Sequence, residues 1–345
     1  MTLLKPRFSI PAQENRAAFR SALGSWFAKN GKDYPWRRTK DPYAILVSEM
    51  MLQQTRLATV LDKGYYTRFL QKFPTSRSLA AAEDQNLLKA WEGLGYYRRA
   101  RMLRSAAQAV EEKFNGIFPD TERELLALPG IGPYTVAALL SFAFDKPSGL
   151  VDGNVSRVLS RITDDHTPID STPTIRAHRQ LAHDLCDPNQ PRNHNYAMME
   201  LGQTICRPGV PHCEICPISG FCKTQEPSIL PVKKPRAKTT KVSEHAIWAT
   251  DPQNRILLHK EAGERRTGLW KLPIRTEVEC EGLEAITVET YPITRYIVTL
   301  TVYQASEESS ATPLDGDQWI PIEDLDSLPL AAPFRRAIEH LLSIL

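Results

Sequence analysis

Hydrophobic positions recur every three to four residues through the first two thirds of the chain, the period of helices with one buried face. Between Arg16 and Ala28, the side chains of Phe19, Leu23, Trp26 and Phe27 share one stripe, and an apolar run from Tyr43 to Leu52 follows an Asp41-Pro42 start signal. The same period predicts helices over Leu57–Phe69, Glu83–Glu92, Tyr97–Phe114, Thr121–Leu128, Tyr134–Phe144, Val151–Arg161, Ile175–Cys186 and Asn193–Ile205. Gly93-Leu94-Gly95, the segment 128–132 and the segment 145–150 separate them as loops. After residue 223 the composition turns to Pro, Lys, Thr and Gln, which predicts an extended basic linker. The period then shortens. His245–Ala249 and Arg255–His259 flank Asp251–Asn254 as a hairpin, Thr294–Tyr303 reads as a strand, and Pro333–Leu345 as a closing helix. The predicted organisation is a helical domain over 12–223 with a loop at 206–222, a linker at 224–241 and a small α+β domain over 242–345.

Composition adds little to this picture. A chain of 345 residues with 24% charged residues and a formal net charge of +3 reads as ordinary globular protein. No run of eighteen apolar residues is present, so no membrane span is predicted, and residues 1–11 lack the pattern of a secretory signal. A cytoplasmic, nucleoid-associated protein is the expectation. Positive charge is concentrated locally: Arg37, Arg38, Lys40 and Arg56 near one candidate site, and Arg98, Arg99, Arg101 and Arg104 beside Tyr96 and Tyr97. Either group suits phosphate neutralisation or a solvated helix face.

Of six cysteines, Cys186 and Cys280 stand alone and read as buried apolar residues, while Cys206, Cys213, Cys216 and Cys222 fall within seventeen residues. That spacing suits four-thiolate ligation of zinc or of a 4Fe–4S cluster, and the single two-residue gap leans towards the cluster.

Two further features carry chemistry. Leu128-Pro129-Gly130-Ile131-Gly132-Pro133-Tyr134-Thr135 joins two helical runs, and amides at Gly130 and Gly132 before a helix start form an anion site for phosphate. The bland reading is a helix–helix turn with Ile131 plugged into the core. Glu49 lies mid-helix among apolar neighbours, where loss of water raises a carboxyl pKa. Asp152 precedes a helix and is suited to N-capping.

Together, Pro35-Trp36-Arg37-Arg38, Val47-Ser48-Glu49, Leu52-Gln53-Gln54-Thr55-Arg56, Trp91–Ala100, Leu128–Thr135, Val151–Val158, Glu200–Cys206 and the four cysteines resemble the endonuclease III superfamily of helix-hairpin-helix DNA glycosylases, and within it the MutY-type adenine DNA glycosylases. The resemblance implies a mostly α-helical fold and a 4Fe–4S cluster on Cys206, Cys213, Cys216 and Cys222. It implies a monomer acting on duplex DNA, removing adenine mispaired with 8-oxoguanine or guanine. Glu49 would protonate the leaving base and Asp152 would stabilise the sugar cation, with Asn154 positioning Asp152. Tyr134 stands where strand-cleaving relatives carry a Schiff-base lysine, which implies a monofunctional enzyme with Tyr134 in the pocket, bonded to Asp152 or substrate. Arg37, Gln53, Gln54, Thr55, Arg56, Tyr96, Gly130 and Gly132 would meet DNA, with Gln54 and Tyr96 wedged into the duplex. The C-terminal region resembles a Nudix-like lesion-recognition domain through Gly268–Ile274, without the Nudix catalytic helix. Ile293, Thr294 and Arg295 depart from the Phe-Ser-His that many relatives carry there, so Thr294 would keep a hydroxyl contact, Arg295 would offer a phosphate or purine-edge donor, and lesion search would be weaker or differently encoded. Competing readings are a thymine–guanine mismatch glycosylase and a noncatalytic DNA-damage-binding protein.

Overall fold

The computed structural model describes residues 13–235, 238–263, 266–306 and 312–344. Among these residues, twelve α-helices precede the sheets. They are α1 (Gln13–Asn30), α2 (Pro42–Leu52), α3 (Leu57–Asp62), α4 (Tyr65–Lys72), α5 (Ser76–Ala80), α6 (Asp84–Ala90), α7 (Arg98–Phe114), α8 (Glu122–Leu126), α9 (Pro133–Phe142), α10 (Gly153–Thr163), α11 (Thr172–Leu185) and α12 (Pro191–Thr204). Seven strands and a last helix follow: β1 (Thr240–Trp248), β2 (Arg255–Lys260), β3 (Trp270–Lys271), β4 (Ile274–Arg275), β5 (Ala285–Ile293), β6 (Tyr296–Gln304), β7 (Asp317–Pro321) and α13 (Ala332–Ile344). Among the described residues no helix is long and apolar enough to cross a membrane.

The chain forms two compact units, and the division is not colinear with the sequence. The first comprises the chain up to Gln53 together with Ser105–Pro235. Its core joins Phe19 and Leu23 of α1 to Val155, Val158 and Leu159 of α10, Leu181 and Leu185 of α11, and Ala197, Met198 and Leu201 of α12. The stripe predicted on α1 therefore buries as its period requires. Caps fix where the helices begin. Asp41 accepts the amides of Tyr43 and Ala44, Thr121 that of Glu124, and Ser171 that of Thr174. The basic stretch after residue 222 is docked on this unit rather than hanging free. Lys223 and Thr224 donate to the carbonyls of Ile162 and Arg161, Ile169 N–H donates to Val232, and Arg161 donates to Leu230.

The second unit combines Gln54–Arg104 with the chain beyond Pro235. One sheet runs β4-β1-β6-β5, with β1 and β6 parallel, and the other runs β3-β2-β7, all antiparallel. Ile247, Ala249, Leu257 and Cys280 close a core at these strands. Two predicted elements are broken in the structure. Leu57–Phe69 divides into α3 and α4 at Gly64, whose φ of +59° reverses the chain cheaply only for glycine. The strand predicted from Thr294 is the second arm of a hairpin: Ile293 pairs with Tyr296, leaving Thr294 and Arg295 as a two-residue turn. Within this unit Arg101 clasps Asp84 and donates to the carbonyl of Thr267, while Arg335 of α13 pairs with Glu92.

Candidate active site

Helix α2 is buried from Tyr43 to Met51, and Glu49 is carried into that largely apolar interior at 3% exposure. The Tyr134 hydroxyl donates to Glu49 Oε2 at 2.7 Å. Burial drives the Glu49 pKa up to about 7, against the lowering effect of that hydrogen bond, and the charge of Asp152 adds to the rise. Tyr134 is the second residue of α9, after Gly132 at the N-cap and Pro133 at the first helical position. Its phenol is held well above its ordinary value by burial and by the two carboxyls, so it remains a donor. Asp152 is the N-cap of α10. Oδ1 accepts the Val155 amide at 2.7 Å and Oδ2 accepts Asn154 Nδ2 at 2.9 Å. Burial raises its pKa as well, opposed by these hydrogen bonds and by the charge of Arg157. The sequence left open whether Tyr134 would meet Asp152 or substrate; its hydroxyl goes to Glu49.

Sequence reasoning passed over the residue beneath this group. Arg157, one turn into α10, donates from Nη2 to Asn154 Oδ1 (3.0 Å) and to the Gly202 carbonyl (2.6 Å), and from Nε to the Cys206 carbonyl (2.8 Å). One face of Asn154 is thereby held, and its amide is presented to Asp152. Gly202 is required here, because a Cβ would lie 2.8 Å from that of Asn154. The signal available was the i, i+3 spacing of Asn154 and Arg157 on one helix face.

The loop before α9 has Gly130 at φ +73° and Ile131 buried at 6%. Gly132 is extended, with no atom within 4 Å of where a Cβ would stand, so its surroundings are open. Arg37, expected among the DNA contacts, is engaged inside the first unit instead. Its guanidinium pairs with Glu200 at 2.6 Å and lies over the rings of Tyr34 and Tyr196. Gln53 caps α2 and donates to Met50 Sδ.

The second unit carries Gln54, Thr55, Arg56 and Tyr96. Gln54 and Tyr96 are exposed and both occupy the left-handed region, at φ +58° and +48°. Arg99 ties their two loops together, donating to Thr55 Oγ1 and to the carbonyls of Leu94 and Gly95. Of the arginines grouped by sequence, Arg99 is buried and Arg101 and Arg104 both pair with Asp84, which leaves Arg98 exposed. Thr294 and Arg295 stand exposed at the β5–β6 turn, with Arg295 over the Tyr296 ring.

The expectation of a 4Fe–4S cluster, or of any metal, on the cysteines is corrected by the structure. Cys206, Cys213, Cys216 and Cys222 do line one cavity of about 240 Å³. Among the described residues, however, no three or more Cys, His, Asp or Glu side chains are arranged to hold a metal ion. Their sulfurs are turned to other partners: Cys206 Sγ accepts from Arg161 Nη1 at 3.2 Å, the Cys222 thiol donates to the Arg161 carbonyl, and Cys213 is exposed. Burial also pushes the Cys216 thiol up to about 11, favouring the protonated form. The loop is instead fastened by Arg161, which is 1% exposed and donates to the carbonyls of Arg207, Gly209 and Leu230.

Residues 47–181, which hold Glu49, Tyr134 and Asp152, match the family model described as HhH-GPD superfamily base excision DNA repair protein. An adenine DNA glycosylase of Mus musculus is 44% identical over 220 residues, covering 61% of this chain and 42% of that protein. One from Buchnera aphidicola subsp. Baizongia pistaciae is 35% identical over 263 residues, covering 73% and 71%. The chain thus spans about two fifths of the length of the mammalian relatives it matches. Among solved structures, a thermostable thymine-DNA glycosylase superposes with a TM-score of 0.54 at 30% identity, over 61% of this chain and 95% of that one. An endonuclease III–DNA complex at 22% identity and a TM-score of 0.51 shares the fold. With a helical glycosylase fold and a relative matched over most of its length, the chain belongs to the MutY-type adenine DNA glycosylases of the HhH-GPD superfamily.

Proposed function

We propose that this protein is a monofunctional DNA glycosylase that hydrolyses the bond between deoxyribose and adenine mispaired with 8-oxoguanine or guanine in duplex DNA. The observation that carries the reading is the buried Glu49, bonded to Tyr134 and with its pKa near 7, next to an Asp152 that is hydrogen-bonded as a helix cap. The target nucleotide must leave the stack before its glycosidic bond can be reached. Near neutral pH a substantial fraction of Glu49 is protonated, and it gives that proton to N7 of the adenine as the C1′–N9 bond breaks. The electron pair leaves with the base, and the positive charge remaining on the sugar is stabilised by the Asp152 carboxylate. Water then adds at C1′, and its proton returns to the Glu49 carboxylate. Asn154, itself held by Arg157, keeps Asp152 oriented. A phenol cannot form a Schiff base, so Tyr134 supports base removal without strand cleavage.

Gln54 and Tyr96 offset part of the unstacking cost by entering the duplex, a role supported by their exposure and left-handed backbone. Gln53, Thr55 and Arg56 flank them, and the Gly130 and Gly132 amides hold a phosphate. Residues 242–345 act as a Nudix-like domain that reads the base opposite adenine. This is supported by the mixed sheet, the Gly268–Ile274 element and the exposed Thr294–Arg295 turn. The test is single-turnover excision across adenine opposite 8-oxoguanine, guanine and cytosine, and thymine opposite guanine. Adenine release opposite 8-oxoguanine or guanine is expected, abolished in Asp152→Asn with DNA binding retained. Release of thymine alone would replace the reading with a thymine–guanine mismatch activity. Binding with no base release would replace it with a damage-binding role.

A further inference from the structure

Within the second unit, α4, the end of α6 and α13 enclose an open cleft of about 860 Å³ that the chemistry above does not use. Its lining carries six cations, Lys63, Arg68, Lys72, Lys89, Arg335 and Arg336, against only two carboxylates. Glu92 is already satisfied, by Lys89 Nζ at 2.7 Å and by Arg335, and Glu339 lies 3.7 Å from Arg335. Among the described residues, no carboxylate stands within ion-pair distance of Lys63, Arg68 or Lys72, all three exposed. Arg68 is nevertheless placed: its guanidinium lies 5.2 Å from the Tyr65 ring centroid and donates to the Lys63 carbonyl. Arg68 and Lys72 are one turn apart on α4 and so project from the same helix face.

We propose that this cleft is a second contact with the sugar–phosphate backbone of duplex DNA, made by residues distinct from the Glu49–Asp152 pocket. The inference rests on the DNA-substrate reading above. Nucleic-acid interfaces are polar and strongly positive, whereas protein interfaces centre on apolar and aromatic anchors. Here the apolar lining is confined to Ala90, Ala332 and the buried Tyr65, which favours phosphate over an acidic protein.

The test compares the full chain with the triple variant Lys63→Gln, Arg68→Gln, Lys72→Gln, measuring Kd for an undamaged duplex from 50 to 200 mM salt. Each phosphate contact contributes about 0.9 to the slope of log Kd against log salt, so the slope should become shallower by about 2 to 3. The charge-preserving Lys63→Arg, Arg68→Lys, Lys72→Arg chain should keep the parent slope, which separates charge from packing. An unchanged slope in the neutral triple variant, with native circular dichroism, overturns the proposal. So does loss of poly-glutamate binding with the DNA slope intact, which would assign the cleft to an acidic protein. Adenine release by the parent chain tests the glycosylase reading separately, so failure of one is not failure of the other.

Discussion

Replacing Glu49 with glutamine should make the protein more stable, and only above a definite pH. In the native state the Glu49 pKa stands at about 7 against an ordinary 4.5, because burial penalises the charged form. The folded protein therefore binds this proton more tightly than the unfolded chain does. The stabilisation linked to the proton is fully present below pH 4.5 and is lost as pH rises through about 7. At about 1.4 kcal/mol per pKa unit, carrying the ionised carboxyl in this interior costs about 3 kcal/mol at pH 8. Glutamine has nearly the same shape, its amide oxygen still accepts from the Tyr134 hydroxyl, and it cannot ionise. Below pH 4.5 the variant and parent should melt together. Above pH 7 the variant should be more stable, by roughly 2–4 °C for each kcal/mol. Thermal or urea melts of both chains in matched buffers from pH 4 to 8.5 read the difference directly, and titrations common to both cancel. A gap that does not change with pH, or a parent chain more stable at pH 8, would refute the reasoning.

Three other outcomes follow from the same geometry. In Tyr134→Phe the hydrogen bond that favours ionised Glu49 is gone; a bond to a charged acceptor is worth about 1.5–3 kcal/mol, so the Glu49 pKa should climb by roughly 1–2 units. The basic limb of the single-turnover excision profile should move to higher pH by that amount, and a limb that stays or moves down contradicts it. Arg157→Met leaves three carbonyl oxygens inside the first unit without their donor, and should cost about 3 kcal/mol in urea melts and slow excision at saturating enzyme. Normal excision would show that Asn154 needs no support from below. Glu200→Ala strands the Arg37 guanidinium between two aromatic rings and should cost about 3–5 kcal/mol, partly recovered in the double variant with Arg37→Met. A double variant no more stable than Glu200→Ala would deny the pairing.

The helical unit was legible because its signals are local. Periodic apolar positions marked α1, α7, α10 and α12, and Asp41-Pro42 fixed the start of α2. What escaped prediction depended on partners distant in sequence or on unusual backbone. No spacing rule places the Tyr134 hydroxyl on Glu49 rather than on Asp152, since Glu49 and Tyr134 lie 85 positions apart. Arg37 reads as a surface cation until Glu200, 163 residues away, and two aromatic rings are seen around it. The β5–β6 turn was missed because Thr294 adopts φ +51°, a conformation that β-branched residues rarely take. The four cysteines show the limit of spacing as a guide. It brings thiols to one cavity, yet whether they are aimed at a common ion depends on the packing around Arg161.

The two carboxyls of the candidate site differ because of where the backbone holds them. Glu49 sits late in α2, where the surrounding amides are already committed to the helix ladder, so it has a phenol to bond and no free backbone donor. That single bond offsets burial only in part, and the Glu49 pKa rises to about 7. Asp152 sits one residue before α10, where helical amides have no partner within the helix, and it takes the Val155 N–H together with the Asn154 side chain. Those donors bond the ionised form and counter burial. Burial thus raises both carboxyls, but one phenol opposes it at Glu49, whereas a backbone amide, the Asn154 side chain and the charge of Arg157 oppose it at Asp152. What separates them is that one carboxyl is inside a helix and the other begins one.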